Sequence, residues 1–159
     1  MMQRWAPWLI AFALSFATAG IGSALTDLGP WYAALVQPSW KPPDAAFGVV
    51  WTTIFTLCAI SAALAWKATR NNAERRRVIQ WFAINALLNM TWSALYFGMR
   101  RPDWALVEVA LLWLSIAVLI RGLWPISRVA SLLLLPYLVW VSIASMLNLA
   151  TVQLNGPFG

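Results

Sequence analysis

Five stretches of the chain are free, or nearly free, of charge. Trp5 to Thr26, Ala45 to Trp66 and Val78 to Met99 each run 22 residues without Asp, Glu, Lys or Arg. Trp104 to Ile120 is interrupted only by Glu108, and Val129 to Gly159 runs 31 uncharged residues before ending in a polar, Gly/Pro-containing tail. A helix needs about 20 apolar residues to cross a bilayer, whereas a barrel strand needs about 10 with alternating polarity. None of these runs alternates. The pattern predicts an all-α integral membrane protein, a five-transmembrane-helix bundle in one domain over residues 1–159, with helices at about 5–26, 45–66, 78–99, 103–121 and 129–154.

The N-terminal run also imitates a secretory signal, with Arg4 ahead of it and Ala17-Thr18-Ala19 as a small-residue cleavage site. It continues to Leu25, long enough to span. Its Gly20, Gly22, Ser23 and Ala24 suit close helix contact, so it is read as a retained helix.

Composition agrees with the pattern. The chain is 62% hydrophobic and 10% charged, with mean hydropathy +0.71, against roughly 25% charged in a soluble domain. It has no His and a single Cys, Cys58. Zinc sites, imidazole-ligated haem, nucleophile–His pairs and an internal disulfide are therefore excluded from its own side chains. No metal and no obligatory cofactor are expected. The net charge of +6 would suggest nucleic acid in a soluble chain. Here the cations lie in short clusters between apolar runs, where they anchor helices at a bilayer surface, and nucleic acid is set aside.

Those clusters orient the bundle. Arg4, Lys67, Arg70, Arg75, Arg76, Arg77, Arg121 and Arg128 fall on one side, and only Lys41, Arg100 and Arg101 on the other. The positive-inside rule places the N-terminus in the cytoplasm and the first loop and C-terminus outside. Helical spans favour a bacterial inner membrane over the outer one.

The first connection is the only one long enough to hold structure of its own. Within Trp31 to Trp51 it carries Pro38, Pro42, Pro43 and three tryptophans, with Pro30 just ahead. Fixed φ angles and large rings make a stiff cover rather than a flexible linker.

The 12 tryptophans divide by depth. Trp5, Trp8, Trp66, Trp81, Trp104 and Trp124 lie at span ends, as interfacial belts do. Trp51, Trp92, Trp113 and Trp140 lie inside spans, where an indole N–H needs a protein partner. Helical spacing groups Phe47, Trp51, Phe55 and Cys58 in the second span, Asn85, Asn89, Trp92 and Tyr96 in the third, and Pro136, Trp140, Ala144 and Asn148 in the fifth. The asparagines serve equally as polar glue between helices. At about 1.5 Å per residue Trp51 lies roughly 10 Å from Asp44 and Trp92 roughly 12 Å from Arg100, so an aromatic cavity would open beneath the first loop.

The segments WYAALVQPSWKPPDAAFGVVW (31–51), NMTWSALYFGMRRPDWALVE (89–108) and PYLVWVSIASMLN (136–148) closely resemble the TspO/MBR family, the tryptophan-rich sensory proteins of bacteria and the mitochondrial translocator protein or peripheral benzodiazepine receptor. The resemblance covers nearly the whole chain. It implies a five-helix bundle that dimerises and binds porphyrins such as protoporphyrin IX, isoquinoline-carboxamide or benzodiazepine-type ligands and, in animal members, cholesterol. Carried over, Tyr32, Trp40, Pro42, Pro43, Phe47 and Trp51 match the first-loop and second-helix wall of the family's pocket. Asn89 and Trp92 match the third-helix wall, Trp104 and Leu111 the fourth, and Trp140, Ala144 and Leu147 the fifth. Ala144 matches a position where a bulkier residue alters ligand binding in the family. After Tyr137 the chain has no Lys or Arg, so it lacks the cholesterol consensus of animal members, and cholesterol is a doubtful ligand.

Two charged residues and one face remain. Glu108 is the only carboxylate well inside a span, either a functional acid or a side chain snorkelling to the interface. Lys41 in the loop is either a partner for a porphyrin propionate or a solvated cation. Ala94 and Gly98, with Ala83 and Ala86, make a small-residue face for a homodimer. The leading expectation is a membrane receptor or carrier for tetrapyrroles with a sensory or regulatory role. The alternatives are light- and oxygen-dependent porphyrin degradation, with Trp51 and Trp140 as candidate electron donors, and a ligand-gated scaffold for a partner protein. Conventional catalysis is not expected, because the chain supplies no acid–base pair or metal.

Overall fold

The computed structural model describes residues 2–159, with side chains from Trp5 onward; Met1 and the Arg4 side chain, counted above, lie outside the described residues. The helices are α1 (Met2–Leu25), α2 (Pro30–Ala34), α3 (Asp44–Ala68), α4 (Asn72–Ser93), α5 (Pro102–Leu123), α6 (Arg128–Leu132) and α7 (Leu135–Asn155), and a π-helical turn, Ala94–Gly98, extends α4. Five of these are 21 to 25 residues long. Four stretches are both long and apolar enough to cross a membrane: Trp5–Leu25, Asp44–Ala68, Pro102–Leu123 and Arg128–Asn155.

The sequence predicts five spans; the described residues form five long helices, of which only four qualify by length and composition, so a fifth span is not established. α4 falls short because it begins six residues before the apolar run and takes in Glu74, Arg75, Arg76 and Arg77. Its start is fixed by local hydrogen bonds. The Asn71 side chain accepts from the Glu74 N–H at 2.9 Å, and the Glu74 carboxylate accepts from the Arg70 N–H at 2.7 Å, a reciprocal capping arrangement.

The last apolar run also differs from expectation, being divided into α6 and α7. Pro136 has no N–H to give the Leu132 carbonyl, and its ring would crowd that turn, so α6 stops at Leu132 and α7 begins with Pro136 in its first turn. The break is held by hydroxyls. Ser61 Oγ donates to the Ala130 carbonyl at 2.7 Å and Ser131 Oγ to the Ile120 carbonyl at 2.6 Å, the kind of polar bond that joins helices where apolar surface does not discriminate.

The core runs along α5, whose Val109, Leu112, Ile116, Leu119 and Leu123 are buried against α3, α6 and α7. Near its end Gly122 leaves room for the Trp81 ring, since a Cβ there would stand 2.5 Å from the indole. Trp81, expected in an interfacial belt, is therefore a packing residue between α4 and α5. α1 is the most peripheral long helix, laid across α3 and α4 with only Gly22 buried among its described side chains. α3 meets α7 through rings, Phe47 against Trp140 at 5.4 Å and Trp51 against Tyr137 at 6.1 Å.

Candidate functional site

The loop between α1 and α3 is structured and docked. Pro30 occupies the first turn of α2 with its fixed φ, as proline favours. The short helix presents Trp31 edge-on to Tyr96 at 6.3 Å and Tyr32 to Phe97 at 5.7 Å. Tyr96 and Phe97 are sequence neighbours, which an α-helix would turn about 100° apart. The widened π turn buries both, and such turns recur at functional sites. The chain then reverses through Arg100, held at φ 54.

Further along, Asn155 at the end of α7 clasps the loop backbone. Its Oδ1 accepts from the Val36 N–H at 2.7 Å and its Nδ2 donates to the Val36 carbonyl at 2.9 Å. Lys41 pairs with Asp44 and lies over the Tyr32 and Phe47 rings at 5.5 and 5.9 Å. Burial works against its charge, but hydrogen bonds to Asp44 and Tyr32 raise its pKa above the ordinary lysine value. Lys41 is thus a tethered cation, not a freely solvated one.

Beneath the loop lies a cavity of about 650 Å³. Of the residues expected at the site, Tyr32, Phe47, Trp51, Asn89, Trp92, Trp140, Ala144 and Leu147 line it together. Five do not. Trp40 is 50% exposed on the loop, and Pro42 and Pro43 shape the start of α3, where Pro43 is the N-cap. Trp104 and Leu111 are 48% and 54% exposed on the outer side of α5. One residue of helix is a 100° rotation, so Val109 and Leu112 form the α5 wall in their place.

The α1 wall was missed. Phe16, Ala19, Gly20, Gly22, Ser23 and Thr26 border the cavity; of these, the sequence suggests only Gly20, Gly22 and Ser23 as contact residues, and for helix packing rather than for a cavity. For Gly22 that reading also holds, because a Cβ there would meet Ser93 and Asn89 at 3.8 and 3.9 Å. At Gly20 the space is open, and the absent side chain widens the cavity.

The interior hydrogen bonds set the rings. Trp92 Nε1 donates to Asn148 Oδ1 at 3.1 Å while Asn148 Nδ2 donates to the Pro102 carbonyl at 2.8 Å. Asn89 Nδ2 donates to the Tyr137 hydroxyl at 3.0 Å, and Trp113 Nε1 to Ser142 Oγ at 2.9 Å. Asn148 and Asn89 are therefore positioning groups as well as glue. Among the described residues three buried polar groups lack a partner: Gln37 Nε2 on the loop, Trp140 Nε1 on the cavity wall, and both carboxylate oxygens of Glu108. Glu108 is only 7% exposed, which excludes snorkelling. It shares the inward face of α5 with Ala105, Val109 and Leu112.

The model of the TspO/MBR family matches residues 9–154. The chain belongs to the TspO/MBR family. Among its relatives, a tryptophan-rich protein TspO of Chlorobaculum tepidum is 40% identical over 152 residues, covering 92% of this chain and 94% of its own length. The protein CrtK of Rhodobacter capsulatus is 33% identical, with 92% and 94% covered. A translocator protein of Sus scrofa is 33% identical, with 89% and 88% covered. Family membership and the long apolar helices together make this TspO/MBR chain an integral membrane protein.

Proposed function

We propose that this TspO/MBR protein is a membrane receptor or carrier that binds a tetrapyrrole such as protoporphyrin IX, and drug-like isoquinoline-carboxamide or benzodiazepine-type ligands, in the cavity under the first loop. One observation carries the reading: Trp140 lines a largely apolar, ring-walled cavity while its indole N–H has no partner. A buried donor left unpaired costs about 1–3 kcal/mol, and a ligand with a nitrogen or oxygen acceptor would recover it. The volume falls within the range of small-molecule sites. Flat apolar surface against Phe47, Trp51 and Trp92 would supply most of the affinity, at about 25 cal/mol per Å² before association costs. Occupancy would be sensed through the loop, since Tyr32 belongs to both loop and wall.

The same reading has α4 and its π turn cross an inner membrane as the fifth span, with the N-terminus cytoplasmic and the loop outside. Association would use the Ala94–Gly98 end of the small-residue α4 face, where Gly98 is exposed and an added Cβ would meet nothing within 4 Å; the Ala83–Ala86 end of that face lies along a second groove. The test is titration of protoporphyrin IX into the protein in lipid nanodiscs, followed by its visible absorbance. Trp51→Ala and Trp140→Ala are each expected to weaken binding at least about tenfold, the equivalent of about 1.4 kcal/mol. Unchanged affinity in both would overturn the reading.

A further inference from the structure

A second, larger cavity of about 810 Å³ lies toward the other end of the bundle, between α1, α3 and α4. It reaches along α1 from Ala6 to Ile21, about 22 Å at the helical rise, which exceeds the roughly 15 Å depth of one leaflet's hydrocarbon. Its surface is almost wholly apolar, and Ile10, Leu14, Ile21 and Ile79 stand exposed along it, so it is a groove open to the side. Phe55 and Asn89 border both this groove and the cavity under the loop.

Charge at its end identifies an occupant. Trp66 and Pro7 line that end. The Arg75 guanidinium lies 5.2 Å from the Trp66 ring centre, and Lys67 Nζ lies 5.8 Å from the ring of Trp8, beside Pro7. Neither cation is in an ion pair among the described residues, where the ion pairs are Lys41–Asp44 and Arg101–Asp103. Arg75 Nε also donates to Thr69 Oγ1 at 3.3 Å, which leaves its charge without a carboxylate; a long apolar trough ending near two such cations matches a molecule with an extended hydrocarbon chain and an anionic head.

We propose that the α1–α3–α4 groove is a binding site for an anionic phospholipid, one acyl chain lying along α1 between Leu14 and Ala83 and the headgroup phosphate held by Lys67 and Arg75. Cations flanking a groove between helices at the membrane surface bind such headgroups in general. A bound chain would press on Phe55 and Asn89 from the side opposite the upper cavity, so lipid and upper-cavity ligand share a wall. Ala83 and Ala86 border the groove as well, which makes a second copy of the chain the rival occupant.

The experiment counts phospholipids kept by the detergent-purified full chain, using native mass spectrometry after exchange with equal amounts of phosphatidylglycerol and phosphatidylcholine. The wild type is expected to keep one phosphatidylglycerol in preference to phosphatidylcholine. Retention should fall about fivefold in Arg75→Gln and about 25-fold in Lys67→Gln/Arg75→Gln, the effect of one and two interfacial cations. Ala83→Trp, at an exposed position, should remove bound lipid of either kind while the protein stays helical by circular dichroism. Equal retention of the two lipids by the wild type, or no loss in the double variant, overturns the proposal. So does a lipid-free dimer that Ala83→Trp splits into monomers, which would give the groove to a second copy.

Discussion

The two cavities share helices α1, α3 and α4 and even two residues, Phe55 and Asn89, yet one is roofed and the other lies open. The upper one is bordered by rings from α3, α4 and α7 and covered by a loop that Asn155 clasps from 119 residues away. The lower one mixes aliphatic side chains of α1 with Phe55, Trp66, Phe82 and Tyr137, is edged by one helix on its outer side, and ends near two cations that have no carboxylate partner among the described residues. Both are apolar, so apolar lining does not separate them. Connectivity does. The chain has a long connection between α1 and α3 at one end and only Thr69–Asn71 between α3 and α4 at the other, and only the long one supplies a cover. A closed site of this kind selects by shape and by a few directed polar groups, whereas an open groove selects by hydrocarbon length and surface charge.

The sharpest way to break the contrast is Trp140→Ala. The buried ring packs against Phe47, and its loss is expected to cost about 3 kcal/mol of stability and to weaken porphyrin binding, while phosphatidylglycerol retention is unchanged. Thermal unfolding and lipid counting on the same sample check both halves. A parallel fall in both would mean that the two cavities act as one. Next is Gly122→Ala, which drives a methyl into the Trp81 ring and should destabilise by about 1–3 kcal/mol, showing that the basic end is tightly packed between α4 and α5 and open only beside α1. A melting temperature within a degree of the wild type would contradict that packing.

Asn155→Leu removes both bonds to Val36 and should cost about 1–2 kcal/mol. Faster hydrogen exchange is expected across residues 30–43, with faster release of porphyrin and none of these changes at the groove. The smallest effect belongs to Glu108→Leu. Its carboxyl has no partner, and replacing an unsatisfied buried polar group by an apolar one of similar size is expected to be neutral within about 0.5 kcal/mol or mildly stabilising. A loss above about 2 kcal/mol would reveal a polar partner for Glu108.

Much of this was legible in the chain, because long uncharged runs have few ways to satisfy their backbone in lipid and helices are the simplest. The order of the five long helices and the ring stripes at Trp51, Asn89–Trp92 and Trp140 follow from residue type and spacing, and the family from the resemblance of three segments to its motifs; the short helices α2 and α6 do not. Spacing along one helix, however, fixes a face only relative to that helix. Which face α5 turns inward is settled by packing against α4 and α7, and that is why Val109 and Leu112, not Trp104 and Leu111, meet the cavity. The α1 wall was hidden for a related reason: Gly20 and Ala19 contribute by the room they leave, and a missing side chain carries no chemical signature. The clasp of Val36 by Asn155, the π turn that buries Tyr96 and Phe97 together, and the solitary burial of Glu108 all join residues through space. Local sequence determined which helices form and what chemistry they bear; only their assembly decided which groups face one another, because long-range contacts are set by the summed packing of every helix.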